Sequence, residues 1–539
     1  MTPRDRSSRW LAVAATLGAI VVLASCGSPS PSPSPTSAAI ASAAPTPSAV
    51  AGPSSPTTDS PAPSPTEAAS PSVEPSPSPT LSPAVAGTWP FRTTWIVADV
   101  LFRPDGGVVV MEFQPESHEA RIVALDASGA TQSGWPWLAP KVEPIGGYPA
   151  VGAALAPDGA IVAVVGSRAG GHSVHRLDRA GREQSGYPIR VATNGFCQTP
   201  IVTTSATVDV TCDLVDTVSG DTVSAITYAL RADGSTVPGW PITTGPTTQN
   251  AQLAPNGTLY LGSLRTGHTR IAAIGPDGRT LAGWPRLYPE GASFTVGPAG
   301  RLWVTWHSFR RDAGQCGPPV RTGYDVLGRD GKRVRGWPVS VVGWSSEPTV
   351  AADGTTYIAT GSRRMIAYSP TGKIKAGWPI RIPVEPAACY GGSSPQPAGS
   401  GTVLIAGPER KPGPGSQGGA VALVTASGKM IPGWPVRVVY ELALVCRYCV
   451  PGPGPIVPPA IGARRIYVGA YSGDRPRVVV FDRAGHRPPA AQRRLATART
   501  WQLAWIRISP TGRVWTLITQ ETGGAYLRPI AQDRALPTP

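Results

Sequence analysis

From residue 87 to about residue 531 the chain is a succession of short apolar runs broken by Gly- and Asx-containing turns, with almost no helical period. Pro157-Asp158-Gly159-Ala160-Ile161-Val162 returns as Pro255-Asn256-Gly257-Thr258-Leu259-Tyr260. Shorter echoes are Asp353-Gly354-Thr355-Thr356-Tyr357-Ile358 and Thr511-Gly512-Arg513-Val514-Trp515. Asp-Gly or Asn-Gly between apolar runs marks a hairpin, because the turn needs residues that accept positive φ. A second turn, such as Asp126-Ala127-Ser128-Gly129 or Asp178-Arg179-Ala180-Gly181, precedes a Gly-Trp-Pro tripeptide. One unit therefore reads as strand, Asx-Gly turn, strand, loop, strand, turn, and a strand opening with Gly-Trp-Pro.

The tripeptide sets the period. Its aromatics are Trp135, Trp240, Trp284, Trp337, Trp378 and Trp434, with Tyr187 and Trp89 in variant forms. They stand about 41 to 56 residues apart, the span of one four-stranded propeller blade. Proline cannot donate to a β-ladder, so it belongs on an edge strand. The neighbouring Trp is large enough to fill the wedge between blades, and Gly lets backbones approach. The motif reads as architecture in preference to a carbohydrate-binding row of aromatics. Counting forward from Trp89 gives eight spans. Residues 501–531 then offer three more strands, and Gly87-Thr88-Trp89-Pro90-Phe91 supplies an edge strand with none before it. The expectation is an all-β propeller of eight blades, with nine as the alternative, closed by its N- and C-terminal strands.

The pattern Ala367-Tyr368-Ser369-Pro370-Thr371-Gly372-Lys373 followed by Trp378 resembles the tryptophan-docking motif of quinoprotein-type, or PQQ-like, propeller repeats. Other units, such as Ala124-Leu125-Asp126-Ala127-Ser128-Gly129 with Trp135, match more loosely. The turn followed by Gly-Trp-Pro is also similar to repeats of bacterial surface proteins with integrin-like propellers. The resemblance covers residues 87 to about 531 and implies a fold without fixing a function. In a quinoprotein dehydrogenase it would imply vicinal cysteines, calcium ligands and a catalytic Asp. No adjacent Cys pair exists here, so no cofactor is assigned.

Upstream, the composition changes. Arg4, Arg6 and Arg9 precede an apolar run, Leu11 to Leu23, that is too short to span a bilayer. It ends in Leu23-Ala24-Ser25-Cys26, which resembles the bacterial lipobox and implies lipidation of Cys26. Residues 1–26 read as a lipoprotein signal peptide. Residues 27–86 read as a disordered Pro/Ser-rich tether whose polyproline-II limit is roughly 190 Å at about 3.1 Å per residue. Residues 87–531 are the propeller and 532–539 a tail. The implied location is the bacterial cell membrane, lipid-anchored on its outer face with the propeller extracytoplasmic.

Charge and chemistry add less. Lys and Arg number 48 against 33 Asp and Glu, a net +15, yet the basic residues are scattered and no run resembles a nucleic-acid arm. Integrin-like calcium loops need Asp or Asn at alternate positions, a spacing that Asp209, Asp213 and Asp216 lack. His172 and His175 are expected to share a loop without nearby carboxylate or Cys, a poor zinc set. Apart from Cys26, six cysteines, Cys197, Cys212, Cys316, Cys389, Cys446 and Cys449, read as three disulfides in an exported domain. Cys197 and Cys212 flank one strand and turn and are expected to staple one blade. Cys446 and Cys449 form a local staple or bond to Cys316 and Cys389.

No catalytic, cofactor or metal residue is assigned. The leading expectation is a monomeric binding or scaffolding module in the envelope. Its membrane contact is the lipid anchor, and its partner is an envelope protein or glycan and not nucleic acid. The insertions Cys389–Ala420 and Tyr440–Pro459 are its expected binding loops. The alternatives are a channel-centred envelope enzyme and an envelope-assembly factor similar to the propeller lipoprotein of outer-membrane barrel assembly.

Overall fold

The computed structural model describes residues 89–533 apart from 115–116, 118, 141–149, 168–170, 193, 217–220, 248–250, 309–319, 385–393, 400, 410–417, 440–456, 473–474, 489–491, 495–500 and 521–523. Cys26, the tether, Cys316, Cys389, Cys446 and Cys449 lie outside the described residues. The described strands form nine antiparallel sheets, each one blade of a propeller. Blade 1 is Ile96–Phe102, Val108–Gln114, Glu119–Leu125 and Trp137–Leu138, paired in that order. Blades 2 to 8 follow in sequence. Blade 3 departs slightly: its first strand is split into Phe196–Cys197 and Ile201–Val202, both paired with Val208–Val215.

Blade 9 is discontinuous. Its first three strands are Trp501–Ile508, Arg513–Gln520 and Ala525–Gln532, and its fourth is Phe91–Thr93 from the other end of the domain. Phe91 pairs with Leu527, Arg92 with Tyr526 and Thr93 with Ala525. Closure by the two terminal strands is thus seen, and it covers an edge that would otherwise be open for pairing.

The ring has nine blades, where eight were preferred. The reason lies in what Gly-Trp-Pro reports. It opens the fourth strand of each blade from 1 to 7 and of blade 9, but blade 8 (Ala460–Ile461, Arg465–Ser472, Arg475–Asp482, Gln492–Arg494) lacks it. Eight motifs therefore serve nine blades.

Burial follows the alternation of the strands. In Val108–Gln114, Val108 and Val110 pack towards blade 9 while Val109 and Met111 pack towards blade 2. Both sheet faces are apolar because each blade is sandwiched between two others, so the core is a set of seams between sheets.

The connections segregate by end. Those between first and second strands are short and uniform, for example 103–107, 156–160, 254–258 and 351–355. Together with the third-to-fourth turns they make one face of the ring, here the turn face. Connections on the opposite, loop face vary from the two residues 266–267 to 343–348 and 440–459. The expected insertion Cys389–Ala420 is not one loop. It contains the strands Gln396–Pro397 and Thr402–Pro408 and the start of Gly418–Thr425.

Candidate functional site

The repeat aromatics all sit at seams. Trp135 donates its indole N–H to the Arg179 carbonyl of the next blade at 3.0 Å, and Trp240 does the same to Pro276 at 3.1 Å. Trp284, Trp337, Trp378 and Trp434 repeat the bond to Arg329, Pro370, Ala426 and Arg483. Tyr187 substitutes a hydroxyl, 2.9 Å from the Arg231 carbonyl, and Trp89 reaches Ala127 at 3.1 Å. Each acceptor lies in the third-to-fourth turn of the following blade. Glycine is needed beside the ring: Gly134 has φ +87°, and a Cβ there would run into the carbonyl oxygen of Ala180. Every Trp-Pro or Tyr-Pro bond of the motif is cis.

This geometry explains the missing motif of blade 8. Its partner would be the third-to-fourth turn of blade 9, and that is where the ring is cut. Asp533 occupies the start of that absent turn. Its buried carboxylate accepts the backbone N–H of Arg465 at 3.1 Å and that of Arg464 at 3.3 Å, and the hydroxyl of Tyr467 at 3.3 Å, all from blade 8.

Cys197 and Cys212 face each other across the first two strands of blade 3 and are disulfide-bonded. Asp209 and Asp213 lie on the strand Val208–Val215 with no loop between them. Burial pushes the Asp209 carboxyl up to about 7. Asp213 is raised by burial as well, though hydrogen bonds from Thr247 and Gln198 oppose the shift.

First strands of neighbouring blades lie against one another around the channel. Gln252 ties blade 4 to blade 5: its amide N–H donates to the Phe294 carbonyl at 2.8 Å, and its oxygen accepts the Val296 N–H at 2.9 Å. Arg507 of blade 9 reaches Asp99 of blade 1 at 3.1 Å, with both side chains partly open. Glu347, on the 343–348 connection, accepts from the Ser293 hydroxyl at 3.0 Å. Glu347 is exposed by surface area, yet the protein packed around its carboxyl raises its pKa, with the hydrogen bond from Ser293 opposing the shift. Trp344, on the same connection and half-buried, has its ring 5.4 Å from that of His307.

His172 and His175 do not share a loop. Both lie on the strand Gly171–Leu177, three positions apart and so on opposite faces. His172 is buried with neither ring nitrogen bonded, and burial lowers its pKa to about 4. His175 is bonded to Ser173 and Glu183. Among the described residues no three His, Cys, Asp or Glu side chains converge as metal ligands do. Sequence reasoning missed Ser173 and Glu183, as well as the channel residues Asp99, Arg507, Gln252 and Glu347. Ser173 and His175 alternate on one strand face, which was legible, but the approach of Glu183 depends on the turn between them.

No protein-family model matches the chain, and no curated protein matches it. Solved structures match over most of the chain. BamB from Moraxella catarrhalis is 14% identical, with 82% of this chain and 100% of that one covered and a TM-score of 0.40. A eukaryotic initiation factor (13% identical, 79% and 97% covered, TM-score 0.43) and the Dos1 propeller (9%, 85% and 97%, 0.41) are similar to the same extent. At these values the likenesses carry no argument about what this chain does.

Proposed function

We propose that the protein is a lipid-anchored envelope propeller that binds or scaffolds a partner through its loop face. The observation that carries this reading is the inequality of the two faces. The turn face is consumed by repeated docking contacts, whereas the loop face has connections of every length on a rigid ring, the usual seat of recognition. The lipobox-like Leu23-Ala24-Ser25-Cys26 and the Pro/Ser-rich segment after it support export and anchoring at the outer face of the membrane. The repeat tryptophans are engaged between blades, so aromatic contacts to a partner fall to non-repeat residues such as the half-buried Trp344.

The test presents the full chain to envelope extract and to arrayed envelope glycans. Trp344→Ala with Glu347→Gln changes the loop face, and Lys332→Glu with Lys429→Glu changes the turn face. Binding that the first pair weakens and the second leaves intact supports the reading. Binding lost only with the turn-face pair overturns it.

A further inference from the structure

The seam between blades 1 and 2 holds a hydrogen-bonded chain that no docking contact requires. The Ser173 hydroxyl lies 2.8 Å from His175 Nε2, and His175 Nδ1 lies 2.7 Å from Glu183 Oε1. Ser173 and His175 are two apart on Gly171–Leu177 and so share a face. Glu183 arrives through the turn that follows, where Leu177 bridges to it. Trp137 of blade 1 lies against the imidazole, ring centres 5.0 Å apart. We propose that Ser173 is an activated nucleophile for acyl transfer from carboxylic esters, with His175 as its base and Glu183 holding the imidazole.

The internal repeat shows that the fold does not dictate this arrangement. Counted from the bridge residue, the positions of His175 and Glu183 are Ala272 and Thr280 in blade 4 and Ile366 and Ile374 in blade 6. In blade 5 they are Asp325 and Arg333, a plain ion pair at 2.7 Å, and the position of Ser173 is Gly323. Blade 2 alone among these has nucleophile, base and carboxylate in series.

Each member is placed for its role. Ser173 is partly exposed, His175 is 2% exposed, and the Glu183 side chain is 32% exposed at the far end. The imidazole is thus shielded while both ends of the chain reach solvent. The Ser173 hydroxyl has one other acceptor, the Val165 carbonyl at 3.5 Å, which is too distant to compete with the ring nitrogen. With Nδ1–H donated to Glu183, the free lone pair sits on Nε2, the tautomer that takes the serine proton. Burial lowers the His175 pKa, against the pull of Glu183, which favours the neutral base. Arg190 pairs with Ser173 across the ladder and is exposed.

The step balances with water as co-reactant. Ser173 Oγ bonds to the ester carbonyl carbon as its proton passes to His175 Nε2. The carbon–alkoxide bond breaks, and the alcohol leaves with that proton. Water, deprotonated by His175, then releases the acid and restores the hydroxyl.

The experiment uses the intact full-length chain and a fluorophosphonate probe, with the adduct mapped by mass spectrometry. A single adduct on Ser173 is expected, absent from Ser173→Ala and from heat-denatured protein. Its rate of formation should fall about 100-fold in His175→Gln and about tenfold in Glu183→Gln, and should decline only as pH drops below the ordinary histidine range. His175→Gln is chosen to keep volume and hydrogen bonding. Ser173 unlabelled in the folded wild type, labelled no faster than in the denatured chain, or labelled as fast in His175→Gln would overturn the proposal. Any of these results leaves partner binding at the loop face untouched.

Discussion

Removing residues 87–94 takes away the closing strand, and the cost follows from what that strand touches. Trp89 and Phe91 are half-buried. A fully buried aromatic is worth about 3–5 kcal/mol on truncation, so half-burial suggests about 2 kcal/mol each. The Trp89 ring meets Trp515 edge-on, centres 4.5 Å apart, which adds about 1 kcal/mol. Its bond to the Ala127 carbonyl adds about 1 kcal/mol more. The total, about 6 kcal/mol, is a large part of the ~5–15 kcal/mol that holds a typical domain together. The deletion also uncovers Leu527 and Ala525, both buried, on a bare strand edge. Thermal unfolding followed by near-UV circular dichroism should show a much lower midpoint and aggregation. Trimming residues 27–82 should leave the midpoint unchanged. Equal midpoints for the two truncations would refute this account of closure.

Four further outcomes are expected. Cys26→Ser should move the protein from the membrane to the soluble fraction on fractionation, and retention in the membrane would exclude lipid anchoring through that residue. Non-reducing peptide mapping should recover Cys197 joined to Cys212. Trp135→Phe removes the indole donor to Arg179 together with part of a buried ring, and should lower stability by about 2–3 kcal/mol in denaturant titration. Asp209 holds its proton up to about pH 7 in the folded chain, whereas the unfolded chain releases it near pH 4. Wild-type stability should therefore lose this contribution as pH rises from about 4 to 7. Asp209→Asn should flatten that slope, narrowing or reversing any deficit to wild type between pH 4 and pH 8; an unchanged slope would contradict it.

The sequence made the fold legible because each blade repeats the same local chemistry. Asx-Gly turns, alternating apolar runs and a proline-bearing outer strand all point to one architecture. The blade count went astray for a definite physical reason. Gly-Trp-Pro marks a contact with the next blade's turn rather than the blade that carries it, and the cut in blade 9 removes one such turn. The candidate nucleophile was illegible for another reason. Ser173 and His175 are close in sequence, but their relation to Glu183 depends on the path of the turn Asp178–Gly181, which the same residues adopt in blades with no such chain. The channel residues come from different blades, and nothing in a single sequence indicates that Gln252 reaches Phe294 or that Arg507 reaches Asp99.

The closing strand is also the point where the N-terminal segment joins the ring. If that segment leads to a fixed anchor, any pull between anchor and bound partner travels through Trp89 and then through three paired residues before the rest of the domain feels it. The indole lodged against Ala127 comes first along this load path and acts as a strain relief for the pairs behind it. Were it to slip, blade 9 would lose its outer strand, and unravelling would begin at one known place. The same feature that seals the molecule at rest therefore makes it a mechanical fuse under tension.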